Sequence, residues 1–414
     1  MKTITLLLDG VGDRSYKELE YKTPLQFAHT PNLDKIAEKS QCGLMTPYKL
    51  GCSLGTDLAH FLLFGYDMSE YPGRAVIDAV GENHSLDPST LVLRASFADV
   101  EHNDGYYLKS RFTDGLTDEE AHVLSDLLSF EMDGYTFEVK HSYDSHALIF
   151  VSGPNLSSAI SDADPFYVDQ YVMMIEAFET VNKDAIQTAK LLNAYLKKAH
   201  KKLANHPINK GKLANEQEQA NMLLCKWAGM HKPIEDFYVR NGMTGCLIGK
   251  SNLLEGLTKT IGLKYKAYNT FDDGIQEALQ SDCEYIHLHT KDPDTASHKK
   301  DPFKKVAVLE KIDESLTPLM DFEGLLIVTA DHSTPCAGQM IHSGETVPFM
   351  AKGQYTRIDN VKVFNEIDCA QGSVCLTAGD FMHYIQNATD RGTLYHLRAG
   401  AKWRNYRVRQ VNKL

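Results

Sequence analysis

Basic residues are in deficit here: 43 Lys and Arg against 55 Asp and Glu leave a net charge of −12 over 414 residues. A general nucleic-acid binder needs a basic surface, so that class is excluded and a small partner is favoured. Long apolar runs are missing as well. Stretches such as residues 4–8 and 325–328 fall far short of the ~20 residues of a membrane-spanning helix, so no bilayer crossing is expected. The opening Met1-Lys2-Thr3 runs straight into a short strand-like segment without a small-residue cleavage site, and a cytoplasmic location is the expectation. None of the eight cysteines (Cys42, Cys52, Cys225, Cys246, Cys283, Cys336, Cys369 and Cys375) falls in a Cys-x-x-Cys pair. That excludes a thiolate zinc site and a disulfide frame, and it predicts reduced, mostly buried thiols, with Cys369 and Cys375 in the core. Repeats and low-complexity tracts are absent too. The composition that is present is globular: 43% apolar and 24% charged residues, at a length that suits two domains or one domain with a large insert.

The segment 3–8 reads as a strand that ends in Asp9-Gly10-Val11-Gly12-Asp13, where β-branched residues and leucine give way to glycine and acid. Open α/β sheets present ligands at such strand ends. A helix is expected over 31–37, with Thr30 as its cap and Pro31 at its first position. The second half repeats the grammar. A strand over 285–289 precedes Asp292-Pro293-Asp294, a strand over 324–329 precedes Ala330-Asp331-His332, and residues 306–320 between them carry apolar residues at helical spacing. The pattern implies a mainly parallel sheet flanked by helices. The middle differs, with short alternating strands over 95–100, 135–140 and 147–151 and a helix starting near Thr117. It reads as an inserted α+β module. Residues 183–204 are the clearest helix, and the lysine-rich stretch 208–219 after it reads as a surface loop. The division expected is 1–92 for the first part of the core, 93–232 for the insert and 233–414 for the rest of the core.

Four short motifs at strand ends concentrate metal-binding side chains. They are Asp9; Thr56 in Gly55-Thr56-Asp57-Leu58-Ala59-His60; Asp294 and His298, at i and i+4; and Asp331-His332 with His342 ten residues on. Taken singly, most have ordinary readings. Asp9 suits a turn, Thr56 a helix cap, Asp294 and His298 a surface pair, and His60 a satisfied structural histidine beside Phe61 and Phe64. Asp331-His332 followed by Ser333-Thr334-Pro335 serves no core. Carboxylates and imidazoles together suit Mn²⁺, Zn²⁺, Co²⁺ or Mg²⁺, and two such ions ~4 Å apart would clamp both oxygens of an in-line phosphoryl transfer. Thr56 then gains a role, because coordination to a divalent cation stabilises its alkoxide.

These motifs, with Lys22-Thr23-Pro24-Leu25, Thr30-Pro31-Asn32-Leu33-Asp34, Phe64-Gly65-Tyr66-Asp67, Ala220-Asn221 and His289-Thr290-Lys291, resemble those of the archaeal-type cofactor-independent phosphoglycerate mutases. That family is a branch of the alkaline phosphatase superfamily, and the resemblance spans nearly the whole chain. It implies an alkaline-phosphatase-like α/β core with an inserted α+β cap that closes over the substrate. It implies two divalent ions, Mn²⁺ first among them, and no 2,3-bisphosphoglycerate. Asp294, His298 and His342 would hold one ion, and Asp9, Asp331, His332 and Thr56 the other. Thr56 would be the nucleophile, Lys291 would sit near the transferring phosphoryl group, and 3- and 2-phosphoglycerate would interconvert through a phosphothreonine. Two departures bear on this. The family usually carries serine at Thr56, and its arginine-rich cap motifs are here Ser110-Arg111-Phe112, Ser145-His146-Ala147 and Lys226-Trp227-Ala228-Gly229. Arg111, His146 and Lys226 are the substrate-binding candidates that remain, although Lys and His lack the planar grip of arginine. The alternatives are a phosphatase, phosphodiesterase or mutase on another small phosphorylated or phosphonate substrate, and a non-catalytic metal-binding regulator.

Overall fold

Six consecutive residues of β-branched or leucine type make Thr3–Leu8 a strand, β1, and all six are buried. Burial on both faces is the signature of a strand inside a helix-covered parallel sheet. The computed structural model describes residues 1–395, 397–398, 402–409 and 413–414. It divides into two compact units, Met1–Tyr71 with Ile234–Leu414, and Pro72–Pro233. No helix of the described residues is long and apolar enough to cross a membrane.

The first unit is built on one sheet. Its other strands are β2 (Gln41–Thr46), β3 (Gly245–Gly249), β4 (Lys264–Ala267), β5 (Tyr285–Thr290), β6 (Leu325–Thr329), β7 (Val347–Lys352) and β8 (Val374–Thr377). They lie in the order β4-β3-β5-β1-β6-β7-β2-β8. Only β7 runs against its neighbours β6 and β2; the remaining pairs are parallel. The physical reason lies in residues 330–346, which form no helix. Without a crossover helix the chain returns antiparallel. The helix expected over 306–320 begins earlier, as Pro302–Ser315, because Asp301 caps it and Pro302 takes its first position. Pro31–Ala37 is helical as expected, but the Thr30 side chain makes no capping bond. The Asp313 carboxylate does that work from another helix, accepting Asn32 N–H at 3.0 Å and Leu33 N–H at 2.7 Å. Cys369 is buried, whereas Cys375 lies exposed on the edge strand β8 and not in the core.

The second unit is an antiparallel sheet, Tyr106–Ser110, Leu91–His102, His146–Ser152, Tyr135–His141 and Phe130–Met132 in that order, with Met222–Met230 also paired to Leu91–His102. The long helix Lys183–Asn205 packs on it, and Tyr195 stacks on Phe137 with ring centroids 3.9 Å apart. This unit begins at Pro72 and not at residue 93, because the Arg74–Gly81 helix buries Ala75, Val76 and Ala79 against Val92, Leu148 and Phe150. The lysine-rich stretch is also not a loop. Pro207–Ala214 is a helix with Pro207 at its first position. Buried Asn209 anchors it, donating to Leu203 O at 2.8 Å and Ala220 O at 3.0 Å and accepting from Ala220 N–H at 2.8 Å. The lysines hid an amphipathic turn whose anchor is polar.

Two glycine substitutions test these assignments in opposite directions. A methyl group at Gly43 would lie 1.7 Å from Val374 O, so Gly43→Ala should force β2 and β8 apart and destabilise by roughly 1–3 kcal/mol. At Gly211, inside the new helix, the added methyl meets nothing within 4 Å, and Gly211→Ala should stabilise by roughly 0.5–1 kcal/mol. Thermal melts of both variants check the signs; a destabilising Gly211→Ala would contradict the helix.

Candidate metal centre

Strand ends β1, β5 and β6 lie side by side, since β1 pairs with both β5 and β6 in parallel register. The residues just beyond each strand are therefore brought together. Asp9 comes directly after β1, with its N–H bonded to Thr290 O at 3.0 Å. Asp331 and His332 come after β6, and the short helix Asp292–Ser297 comes after β5. Two groups of ligand atoms result, Asp9–Asp331–His332 and Asp294–His298–His342, each with its atoms within 4.8 Å of one another.

In the first group His332 Nε2 lies 3.3 Å from Asp9 Oδ1 and 3.2 Å from Asp331 Oδ2. Both carboxylate oxygens are buried without a hydrogen-bond partner. Unpaired buried acceptors of this kind are costly unless a cation meets them. Thr56 Oγ1 stands 3.3 Å from the same His332 Nε2. Gly55, not Thr56, caps the Thr56–Leu63 helix. Thr56 is thus freed from the capping role and points its hydroxyl at the ligand cluster from the positive end of the helix. In the second group Asp294 Oδ1 lies 3.2 Å from His298 Nε2 and 3.5 Å from His342 Nε2. The one-turn spacing of Asp294 and His298 is realised as His298 N–H donates to Asp294 O at 3.1 Å.

The hydrogen bonds fix which ring nitrogens are free. His342 Nδ1 donates to Leu54 O at 2.7 Å, because a carbonyl only accepts, and this turns its Nε2 toward Asp294. Thr334 Oγ1 donates to Asp294 Oδ1 at 2.8 Å, so at 3.1 Å it accepts from His332 Nδ1, whose Nε2 is bare in turn. Burial, aided by the neighbouring His342, pulls the His332 imidazolium down to about 3, so the ring is neutral at physiological pH. A neutral imidazole with a bare nitrogen is a metal ligand. The carboxylates diverge. Burial pushes Asp331 well above the usual range, and the Asp9 and Asp294 charges push it further. Burial acts the same way on Asp9 and Asp294, but the His289 bond on Asp9 and the His298 and His342 bonds on Asp294 overcome it and hold both low. Oxygen and imidazole donors fit divalent cations in both groups, and in the first group two orphaned carboxylate oxygens add to the fit.

Lys291 caps the Asp292–Ser297 helix, with Nζ 3.9 Å from Asp294 Oδ2. It also lines a cavity of about 990 Å³ with Lys250, Lys299, Lys304 and Lys311, against two aspartates, Asp272 and Asp292. An acidic protein thus presents a cationic wall beside the ligand cluster. His60 behaves as a structural histidine through Nδ1, which donates to Thr56 O at 2.7 Å, yet it lies 3.6 Å from Asp331 Oδ2. His289, which the motifs included without a role, donates from Nε2 to Asp9 Oδ2 at 3.0 Å. Its signal was alternation: His287 and His289 share one face of β5.

Arg111, His146 and Lys226 belong to the second unit, and the structure gathers them around Phe112. Arg111 and Lys226 lie 5.0 Å and 5.3 Å from its ring centre, and the His146 ring 5.0 Å from it. Sequence reasoning missed their shared partner. Buried Asp164 takes Arg111 in a two-pronged bond, 3.0 Å and 2.8 Å, and Lys226 at 2.6 Å. Burial, then the charges of Arg94 and Lys226, pull His146 down to about 3, so it is neutral.

Comparison with known proteins adds four findings. Residues 37–209 match the family model described as 2,3-bisphosphoglycerate-independent phosphoglycerate mutase. The chain is 44% identical to 2,3-bisphosphoglycerate-independent phosphoglycerate mutase 2 of Methanocaldococcus jannaschii, covering 98% of this chain and 97% of that one. It is 33% identical to the 2,3-bisphosphoglycerate-independent phosphoglycerate mutase of Thermoplasma volcanium, covering 94% and 97%. Among solved structures, the cofactor-independent phosphoglycerate mutase from Thermoplasma acidophilum superposes with a TM-score of 0.62 at 29% identity, covering 94% of this chain and 100% of that one.

Each of the two ligand groups should hold one ion. Elemental analysis of the Mn²⁺-loaded protein should give two equivalents, and Asp294→Ala or His342→Ala should each lower this to one. Unchanged stoichiometry in both variants would remove these residues from the ligand set.

Proposed function

The chain belongs to the 2,3-bisphosphoglycerate-independent phosphoglycerate mutases, and on that premise we propose that it interconverts 3- and 2-phosphoglycerate through a phosphothreonine on Thr56. The observation that carries this reading is the Thr56 hydroxyl, aimed at His332 Nε2 between two orphaned carboxylate oxygens. Divalent cations at such donors, Mn²⁺ in our assignment, supply Lewis-acid stabilisation of an alkoxide and of phosphoryl oxygens.

Thr56 Oγ loses its proton and attacks phosphorus in line; the bond from phosphorus to the substrate C3 oxygen breaks, and that oxygen takes up a proton. The freed glycerate turns without leaving. Its C2 hydroxyl then loses its proton and attacks the phosphothreonine phosphorus; the bond from phosphorus to Thr56 Oγ breaks, and Oγ takes up a proton to restore the hydroxyl. Lys291, 3.9 Å from Asp294, faces this centre as a point charge suited to a phosphoryl oxygen. The lysine-lined cavity beside it favours the approach of a trianionic substrate. Arg111, His146 and Lys226 are the proposed substrate-binding groups of the second unit. The two-pronged Arg111–Asp164 pair supports this, since the same fork fits a substrate carboxylate. Eight free cysteines support a reducing, cytoplasmic setting.

A second reading draws on Asp164. That carboxylate engages both Arg111 and Lys226, which favours a substrate of lower negative charge and a phosphatase or phosphodiesterase activity.

³¹P NMR of 3-phosphoglycerate incubated with the Mn²⁺-loaded protein, recorded after chelation, separates the two. The expected product is 2-phosphoglycerate. Thr56→Ala should lower turnover by at least about 10⁴-fold, while Thr56→Ser keeps substantial activity. Release of inorganic phosphate would favour the second reading, and full turnover by Thr56→Ala would contradict the covalent route.

A further inference from the structure

Lys305, on the Pro302–Ser315 helix, is wholly buried and takes no part in the chemistry above. Its three ammonium N–H groups are shared among four oxygens: Gly10 O at 2.8 Å, Gly12 O at 3.2 Å, Asp13 Oδ2 at 3.0 Å and Thr334 O at 3.1 Å. A buried ammonium is tolerated only when oxygens replace its hydration, and here they do. The four acceptors come from two loops. Gly10, Gly12 and Asp13 come just after the ligand Asp9, and Thr334 just after the ligands Asp331 and His332.

Those loops touch directly at two further points. Thr334 N–H donates to Gly12 O at 3.0 Å, and Gly10 N–H donates to Asp331 Oδ1 at 3.2 Å. Their approach is too close for side chains: a Cβ on Gly10 would lie 2.4 Å from Thr334 Oγ1, and one on Gly12 2.3 Å from Ser333 Oγ. Thr334 then passes the constraint on. Its hydroxyl is bonded to Asp294 of the second ligand group and to His332 of the first. One cation therefore stands behind the placement of both groups.

We propose that Lys305 is the positioning residue of the metal centre, an internal monovalent cation that holds the loops after β1 and β6 at the separation where Asp9, Asp331 and His332 converge. In the sequence it is hidden in Lys299-Lys300-Asp301-Pro302-Phe303-Lys304-Lys305, a run that reads as a solvated face. The proposal rests on the metal reading of the two groups but not on the mutase reading.

The test is Mn²⁺ titration of the EDTA-treated full chain, with free Mn²⁺ measured by electron paramagnetic resonance. Lys305→Met, which keeps the apolar stem and removes the donors, should weaken Mn²⁺ binding by on the order of 10-fold to 100-fold. Lys305→Ala deletes the propylammonium portion of the side chain. Added n-propylammonium should restore its Mn²⁺ affinity, tetramethylammonium, which has no N–H, should not, and the wild type should respond to neither. If Lys305→Ala does not fold alone, n-propylammonium present during refolding should recover Mn²⁺ binding together with the circular dichroism spectrum. Wild-type affinity in folded Lys305→Met overturns the proposal, and so does failure of n-propylammonium to restore Mn²⁺ binding, whether or not the fold returns. A wild-type chain that binds no Mn²⁺ would instead sink the metal reading itself.

Discussion

Three buried carboxylates, Asp9, Asp294 and Asp331, share one sheet edge, and the rest of the site is shaped by their charge. Two carboxylates ~4 Å apart repel by about 4 kcal/mol at an effective dielectric of about 20. A native protein has only about 5–15 kcal/mol of net stability, so such a cluster needs compensation. The protein supplies imidazoles, His332 and His342, whose Nε2 atoms face the carboxylates, and an internal ammonium, Lys305, behind the loops. Neither neutralises the cluster itself. On the function proposed above, divalent cations would do so, and the same excess positive charge would then stabilise an attacking Thr56 oxygen.

The sheet makes the convergence possible. Parallel pairing of β1 with β5 and β6 sends three chain segments out at one edge, and the helix-free return after β6 keeps His342 near Asp294. Gly55 takes the cap so that Thr56 becomes the first residue of its helix, its hydroxyl turned to His332. Arrangement at strand ends and a helix start keeps the reacting groups on rigid elements, the setting in which positions hold to a fraction of an ångström.

Much of this was legible in the sequence because strand ends announce themselves. A run such as Ile4-Thr5-Leu6-Leu7-Leu8 followed by Asp9-Gly10, or Ile327-Val328-Thr329 followed by Ala330-Asp331-His332, marks both the element and the site. Helix boundaries were less legible, since capping is partly tertiary: Asp313 caps the Pro31–Ala37 helix from 280 positions away in sequence. The Pro207–Ala214 helix was hidden because its anchor, Asn209, is polar and its lysines suggest a loop. Lys305 and Asp164 were hidden for the same reason. A buried charge carries no apolar signature, and its partners, Gly10, Gly12, Asp13 and Thr334 in one case and Arg111 and Lys226 in the other, are distant in sequence.

The proposed nucleophile, Thr56, is the point on which the account turns. The most direct test is to quench the Mn²⁺-loaded protein in acid during turnover of 3-phosphoglycerate and map phosphorylation by peptide mass spectrometry. The account predicts a phosphoryl group on Thr56, lost when the metal is chelated before the substrate is added. Turnover with Thr56 unmodified, or with the phosphoryl group on another residue, would contradict it.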